Sequence, residues 1–449
     1  MSLTLFSAQT LLEKIRSLPG AARYWIAYSG GMDSHVLLHA FNEIRNSLRA
    51  DLTAVHIDHG INKNSGDWAE HCRMVCTELG IQLITHRLDG QCPRGESVES
   101  WARSRRYRIF REGMGAGEVL CTAQHRDDQA ETLLLQLFRG SGPKGLSAMP
   151  EIRHFGPGWL MRPLLEFPRD SLRGYALARE LSWIEDAMNA DQNYDRNFLR
   201  HGILPELRVR WPNLSVVLSR AGAHQAEAAV LLDELAALDI KTHLLPDPNT
   251  LSLSGMQNLS MPRRRNLIRY WIRTLDLTAP DSRTLEHILS DVIASREDAQ
   301  PCISWRGMEI RRYRQVLYLV TRPTDCDSSG TQLWNLGSPY ATALGRLLAV
   351  RGRGRGISTT ALPAGQLAIR YRRGGETIQP AGRKHHHALK KLLQEQHIPP
   401  WLRDRIPLLY FKEELVAVAG FWIAERYRAG PDEDAWQISW EGAEKVLQK

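Results

Sequence analysis

The sequence predicts an α/β protein: a Rossmann-like parallel sheet, then a mostly helical middle domain and a small α+β C-terminal domain. Three observations carry this. Apolar, β-rich runs alternate with helical patterns four times before residue 140, the pattern of a parallel sheet covered by helices. A Gly-Gly turn joins the first strand to the first long helix, a junction suited to phosphate. From Leu214 the apolar spacing becomes helical and stays so for about eighty residues.

The elements follow in order. Arg23–Tyr28, Leu52–Asp58, Ile81–Leu88 and Glu118–Thr122 read as strands. The intervening runs 34–48, 67–79, 97–113 and 127–139 read as helices. Residues 140–158 are rich in Gly and Pro and read as loop, followed by a helix over 169–181. Helices over 214–238, 262–275 and 282–294 and strand-like runs near 302–305 and 316–320 form the middle region. A polar stretch at 325–330 reads as a linker, and 387–395 as a helix. The expected domains are therefore 1–215, 216–322 and 335–449.

Composition sets limits. The 449 residues carry a net charge of +8 and a pI near 9.2, which favours an anionic partner such as nucleic acid. The six cysteines form no CxxC pair. They fit reduced thiols better than a disulfide framework. Glu13 and Lys14 interrupt the N-terminal apolar pattern, so it reads as an amphipathic helix and not a leader. No apolar run approaches membrane-spanning length, and the chain reads as cytoplasmic. Oligomeric state stays open, a homodimer included.

The chemistry concentrates in two blocks. Ser29-Gly30-Gly31-Met32-Asp33-Ser34 links a strand to a helix. The glycines let backbone approach a phosphate, and the helix start offers free N–H donors. No GxxxxGK[ST] loop occurs. The second block is Thr122-Ala-Gln-His125-Arg126-Asp127-Asp128-Gln129-Ala-Glu131-Thr132, a histidine followed by three carboxylates at a strand-to-helix junction. That is more than a helix cap requires. It suits Mg²⁺ binding, ammonium recognition or proton abstraction. His56-Ile57-Asp58-His59-Gly60 ends the second strand, where side chains face a ligand crevice. Glu99, Arg103 and Tyr107 share one helix face, with Arg106 beside them.

The first block resembles the PP-loop of ATP-pyrophosphatases, which cut ATP between the α and β phosphates. The HIDHG element, the ExxxRxxRY helix, the His125 block and Arg139-Gly-Ser-Gly together resemble lysidine synthetases. So do Arg162-Pro-Leu, Trp183-Ile-Glu185-Asp186 with Asn189, and Tyr194-Asp-Arg196-Asn197 with Arg200. The resemblance implies that Ser29 to Ser34, His56 and Arg103 serve ATP. It implies catalytic roles for Asp33, Asp58, Asp128 and Glu131. Asp127, Asp128, Glu131, Arg139, Arg196 and Asn197 would contact the substrates; Asp128 and Glu131, which their spacing puts on one helix face, are expected to hold the lysine ammonium group, with Asp127 turned toward metal or the helix cap.

Residues 371–391 hold Arg372, Arg373, Arg383, Lys384, Lys390 and Lys391 against the single acid Glu376. A phosphate-binding surface is expected there, resembling the C-terminal domain of the longer bacterial lysidine synthetases. The RGRGRG run at 351–356 and the arginine-studded helix from Arg263 to Arg273 read equally as solvated surface or RNA contact.

The resemblance implies ATP-dependent ligation of lysine to C2 of the wobble cytidine of tRNA(Ile), through an adenylated base, with Mg²⁺. No metal ligand set is assignable from the sequence. The enzymatic alternative is base thiolation by the same adenylation, for which the missing CxxC pair is a poor fit. A non-catalytic RNA-binding protein is the alternative of another class, and the intact Asp33, Ser34 and Asp127/Asp128/Glu131 set argues against it.

Overall fold

The computed structural model describes residues 5–18, 20–58, 60, 65–88, 92–93, 98–186, 191–296, 299–321, 330–342, 344–363 and 365–441, with residues 98–100 described by backbone alone. His59, the Glu99 side chain, Asn189 and most of the expected linker lie outside the described residues. The chain divides into two compact units, Met1–Leu232 and Asp233–Lys449. None of the described helices is long and apolar enough to cross a membrane.

The N-terminal unit is built on β1 (Arg23–Ala27), β2 (Asp51–Asp58), β3 (Gln82–Arg87), β4 (Glu118–Cys121), β5 (Ile152–Phe155) and β6 (Gly158–Met161). Their order across the sheet is β3-β2-β1-β4-β6-β5. All pairs are parallel except the β5–β6 edge hairpin. That hairpin and a short helix, Pro143–Leu146, occupy the stretch expected to be loop. The correction has local causes. Pro143 sits in the first helical turn, where its missing N–H costs nothing, and β5 at the edge has too few buried positions to show an apolar run.

Helices cover both faces. Tyr24, Ile26 and Tyr28 point to the side where α2 (Met32–Leu48) buries Val36, Leu37 and Phe41; α1 (Ala8–Arg16) lies on that side too. Trp25, Val55 and Leu120 point to the other, where α4 (Val98–Gly113) buries Trp101 and Phe110. The period-two alternation of the strands therefore serves two cores at once, each fully buried aliphatic or aromatic side chain contributing about 1.5–3 kcal/mol. Two more helices complete the frame, α3 (Ser65–Glu78) between β2 and β3 and α5 (Arg126–Phe138) after β4. The strand order reverses between β1 and β4, and ligand crevices form at such a switch point, beyond the carboxyl ends of the strands.

In the second unit, strands at 250–252, 302–305, 308–313 and 316–321 make a four-stranded sheet beside the helix Met261–Thr274. The three helices expected from the spacing are present, as are the strand-like runs at 302–305 and 316–320, and the strands at 250–252 and 308–313 are added to them. A five-stranded and a four-stranded antiparallel sheet share the last core. Trp401 of the C-terminal segment packs edge-on against Tyr313 and Tyr318 of the middle sheet.

Candidate active site

The turn after β1 is shaped by backbone demands. Gly30 has φ +86°, and a Cβ there would meet Ile184 Cδ1 at 2.6 Å. Only glycine fits on both counts. Ile184 N donates to Gly30 O at 3.0 Å, so the 182–186 segment lies directly over the turn. The serine hydroxyls brace the loop: Ser34 Oγ donates to Gly31 O at 2.9 Å, accepts from Ser29 N at 3.2 Å, and lies 3.1 Å from Ser29 Oγ. No side chain caps α2 at Gly31. Its first-turn N–H groups, through Ser34, have no helical partner and face the crevice, the geometry that binds a phosphate.

The turn after β4 is an electrostatic cluster. His125 caps α5: its Nδ1 accepts from Asp128 N at 3.4 Å, and its own N–H donates to Asp128 Oδ2 at 3.0 Å. The ring, 1% exposed, places Nε2 3.3 Å from Asp128 Oδ2 and 3.6 Å from Asp33 Oδ2. Burial opposes its charged form, but Asp128, Asp33 and Asp127 together hold its pKa above the usual histidine value. Burial would likewise raise the pKa of Asp128, but His125, Arg196 and Arg200 outweigh it and keep the carboxylate ionised.

Two arginines close over α5 from α8 (Asp195–Phe198) and the π-turn Leu199–Ile203 behind it; α6 is the Pro143–Leu146 helix and α7 spans Arg169–Ala178. Arg196 donates to Glu131 Oε2 at 2.7 Å and Asp128 Oδ1 at 3.0 Å. Arg200 donates to Glu131 Oε1 at 2.6 Å and Asp128 Oδ1 at 2.8 Å. Asp127 is occupied too, accepting from Arg208 at 2.6 Å and from Arg169 N at 3.0 Å. Asp33 Oδ1 differs: it is buried and accepts no hydrogen bond from the described residues.

These turns share one cavity of about 500 Å³. Ser29, Gly31, Met32, Asp33 and Ser34 form one wall. Arg103, Asp128 and Arg196 also line it. Glu131 lies beneath, 1% exposed. Other expected residues stand apart from the cavity wall. His56 is 4% exposed and bonds Tyr28 O at 3.0 Å and the Cys72 thiol, holding β2 against β1 and α3. Asp58 closes its own turn by accepting from Gly60 N at 2.8 Å. Arg139 is exposed at the end of α5, and Asn197 donates to Asp191 O at 2.9 Å. In the second unit, Arg372 is ion-paired with Asp404 at 2.9 Å and Arg383 with Glu395 at 3.3 Å, while Arg373 and Lys384 are exposed.

Arg200 and Trp183, quoted above within the family motifs, also meet the site, and so do Arg169 and Arg208, which the sequence did not single out. The four-residue spacing of Arg196 and Arg200 was the available signal, since it puts both on one helical face.

Family models match three stretches: a PP-loop domain over residues 5–207, a TilS substrate binding domain over 251–318, and a TilS substrate C-terminal domain over 367–440. A tRNA(Ile)-lysidine synthase from Coxiella burnetii is 42% identical, covering 97% of this chain and 96% of that one. One from Methylococcus capsulatus is 42% identical over 94% of this chain and 97% of its own. One from Yersinia pseudotuberculosis is 37% identical over 98% and 99%. A phosphate-binding turn facing a histidine–carboxylate cluster, in a chain alike to these proteins from end to end, places it in the tRNA(Ile)-lysidine synthase family of PP-loop ATP-using ligases.

Proposed function

We propose that this chain joins free lysine to C2 of the wobble cytidine of tRNA(Ile), using ATP and releasing AMP and pyrophosphate. The observation that carries the reading is the meeting of the Gly30–Ser34 turn and the His125–Asp128 cluster in one cavity, in a member of this family. Thiolation through the same adenylation is not favoured, since the full-length relatives are lysidine synthases.

The chemistry needs two steps. The cytosine O2 attacks the α-phosphorus of ATP, and the bond to the β-phosphate breaks, releasing pyrophosphate. The lysine ε-amine then attacks C2, and AMP leaves with the former O2. The N–H groups at the start of α2 are placed to hold the departing pyrophosphate. The His125 ring, its Nε2 facing Asp33 and Asp128, ties the two turns together across the cavity.

Mg²⁺ belongs to this proposal. Among the described residues no cluster of three metal-ligating side chains occurs. Asp33 Oδ1, a buried acceptor with no hydrogen-bond donor among the described residues and Arg169 Nε 3.9 Å away, fits the pattern of one carboxylate completed by phosphate oxygens and water. The ion would spread charge on the pyrophosphate.

The sequence pointed to Asp128 and Glu131 for the lysine ammonium group. Their oxygens already accept from Arg196, Arg200 and His125 N–H. Glu185 is exposed on the cavity wall and has no ion pair among the described residues. The ammonium group would meet Glu185, with Asp128 and Glu131 positioning the arginines. Glu185→Gln should then raise the lysine KM with adenylation intact. If Glu131→Gln does this and Glu185→Gln does not, lysine displaces an arginine and the assignment to Asp128 and Glu131 holds.

The segments 216–322 and 335–449 are proposed as substrate-binding domains, the latter contacting tRNA through Lys384, Lys390 and Lys391, which are exposed. Mass analysis of tRNA(Ile) after incubation with ATP and lysine tests the whole reading. A product lacking the added lysine mass would end it.

A further inference from the structure

Between α4 and the end of β6 stands a cluster that neither chemical step uses. Arg162 follows β6 at its carboxyl end and is 4% exposed. Its Nη1 donates to Pro150 O at 2.6 Å, and it also bonds the Tyr107 side chain. Its Nε is buried with no acceptor among the described residues, and none of their carboxylates pairs with it. Its charged neighbours are Arg153 and Arg103. Burial lowers its pKa, Tyr107 opposes that, and the two arginines lower it further. The Arg103 guanidinium lies 5.2 Å from the Tyr107 ring centroid, and Arg153 lies 5.7 Å from that of Phe155, whose ring is 5.8 Å from Tyr107. Arg103 and Tyr107 line the cavity. A buried guanidinium among like charges is costly unless an anion joins it.

We infer that the exposed Arg103 and Arg153, backed by the buried charge of Arg162 behind Tyr107 and Phe155, bind a phosphodiester of the RNA substrate next to the base that enters the cavity. This rests on the tRNA-ligase reading above. Lysine is a poor occupant, because its two ammonium groups outnumber its one carboxylate and three guanidiniums repel it. ATP phosphates have their site at α2, which covers the opposite face of the sheet from α4. A phosphodiester carries one negative charge on two oxygens that match a guanidinium fork. The assignment takes Arg103 from the nucleotide, where the family resemblance put it, to the RNA.

The test uses the full chain and an anticodon stem-loop RNA. Arg103→Gln/Arg153→Gln changes two exposed side chains and should fold; Arg162→Lys is the second variant. RNA affinity is measured across salt, and again with single methylphosphonate linkages replacing each loop phosphate in turn. In the unaltered protein one linkage beside the target cytidine should cost about tenfold in Kd. The double variant should lose that sensitivity, and its log–log salt slope should fall by about 0.7 for each phosphate it no longer holds. The KM for ATP should stay the same. An unchanged slope with the methylphosphonate effect intact overturns the proposal, and so does a raised ATP KM with RNA binding untouched. Absence of the lysine mass in wild-type product would instead sink the ligase reading, and the RNA slope would still decide this one.

Discussion

The α5 cluster of the first unit and the surface ion pairs of the C-terminal segment handle charge in opposite ways. On α5 of the first unit, Asp128 and Glu131 are buried and each is met by two guanidiniums, with Arg196 and Arg200 only about a quarter exposed. In the second unit, Arg383–Glu395 and Arg346–Glu441 leave roughly half of each side chain in water. Desolvation makes the first arrangement rigid and expensive to disturb. Screening makes the second nearly free to rearrange. A polyanion can therefore displace the carboxylates of those surface pairs, and it cannot do so at Asp128 and Glu131 without a specific fit.

Five experiments sharpen or break this contrast. The largest effect is expected at the phosphate turn. Asp33→Ala should lower AMP transfer to tRNA by about a thousandfold, roughly 4 kcal/mol, while the melting transition stays. Near-normal adenylation in the folded variant would remove the central claim. Next comes the clamp. Arg200→Met leaves Glu131 buried with one guanidinium fewer and should cost about 3–5 kcal/mol of stability; a loss below about 1 kcal/mol by denaturant titration would mean the pair behaves as a surface one.

The third concerns pH. The folded pKa of Asp128 lies below its unfolded value of about 3.9. Its contribution is thus present above that pH and lost as pH falls through the folded value. Asp128→Asn should flatten the stability curve on the acid side and, by removing the main charge that raises the His125 pKa, also lessen the stability lost as pH rises through that histidine's folded value. An acid limb identical to wild type would show that the arginines do not hold this charge. The smallest structural effect is expected at Arg383→Gln, within about 1 kcal/mol. Its surface matters for RNA instead. Neutralising Lys384, Lys390 and Lys391 together should flatten the salt slope of tRNA binding by about 2. These substitutions are preferable to deleting the C-terminal segment, because Trp401 packs on Tyr313 and Tyr318 within the same unit and a truncation would leave those rings uncovered.

Much of the N-terminal unit was readable from its amino acids. The four strands β1 to β4 and the helices between them appear where the alternation placed them; for the interior strands β1, β2 and β4 the reason is that a parallel strand buried on both faces is apolar along most of its length. The edge strand β5 escaped for the converse reason, since two of its four residues face solvent. The turn at Gly30 was legible because its demands are local: a positive φ and a helix start are written in six consecutive residues.

Sequence alone determined the Gly30 turn, the His125 block, the first four strands with the helices between them, and the family. Each depends on neighbours in the chain or on a short motif. Only the tertiary structure decided what the carboxylates do. Arg196 and Arg200 reach Glu131 and Asp128 from 65 to 72 residues away, and Ile184 covers Gly30 from a distant loop. The same holds for Arg162, whose like-charged neighbours come from α4 and β5. Such contacts have no period to detect. They arise where the sheet brings its strand ends together, and there burial, not spacing, sets which charges are spent on the fold and which remain for a ligand.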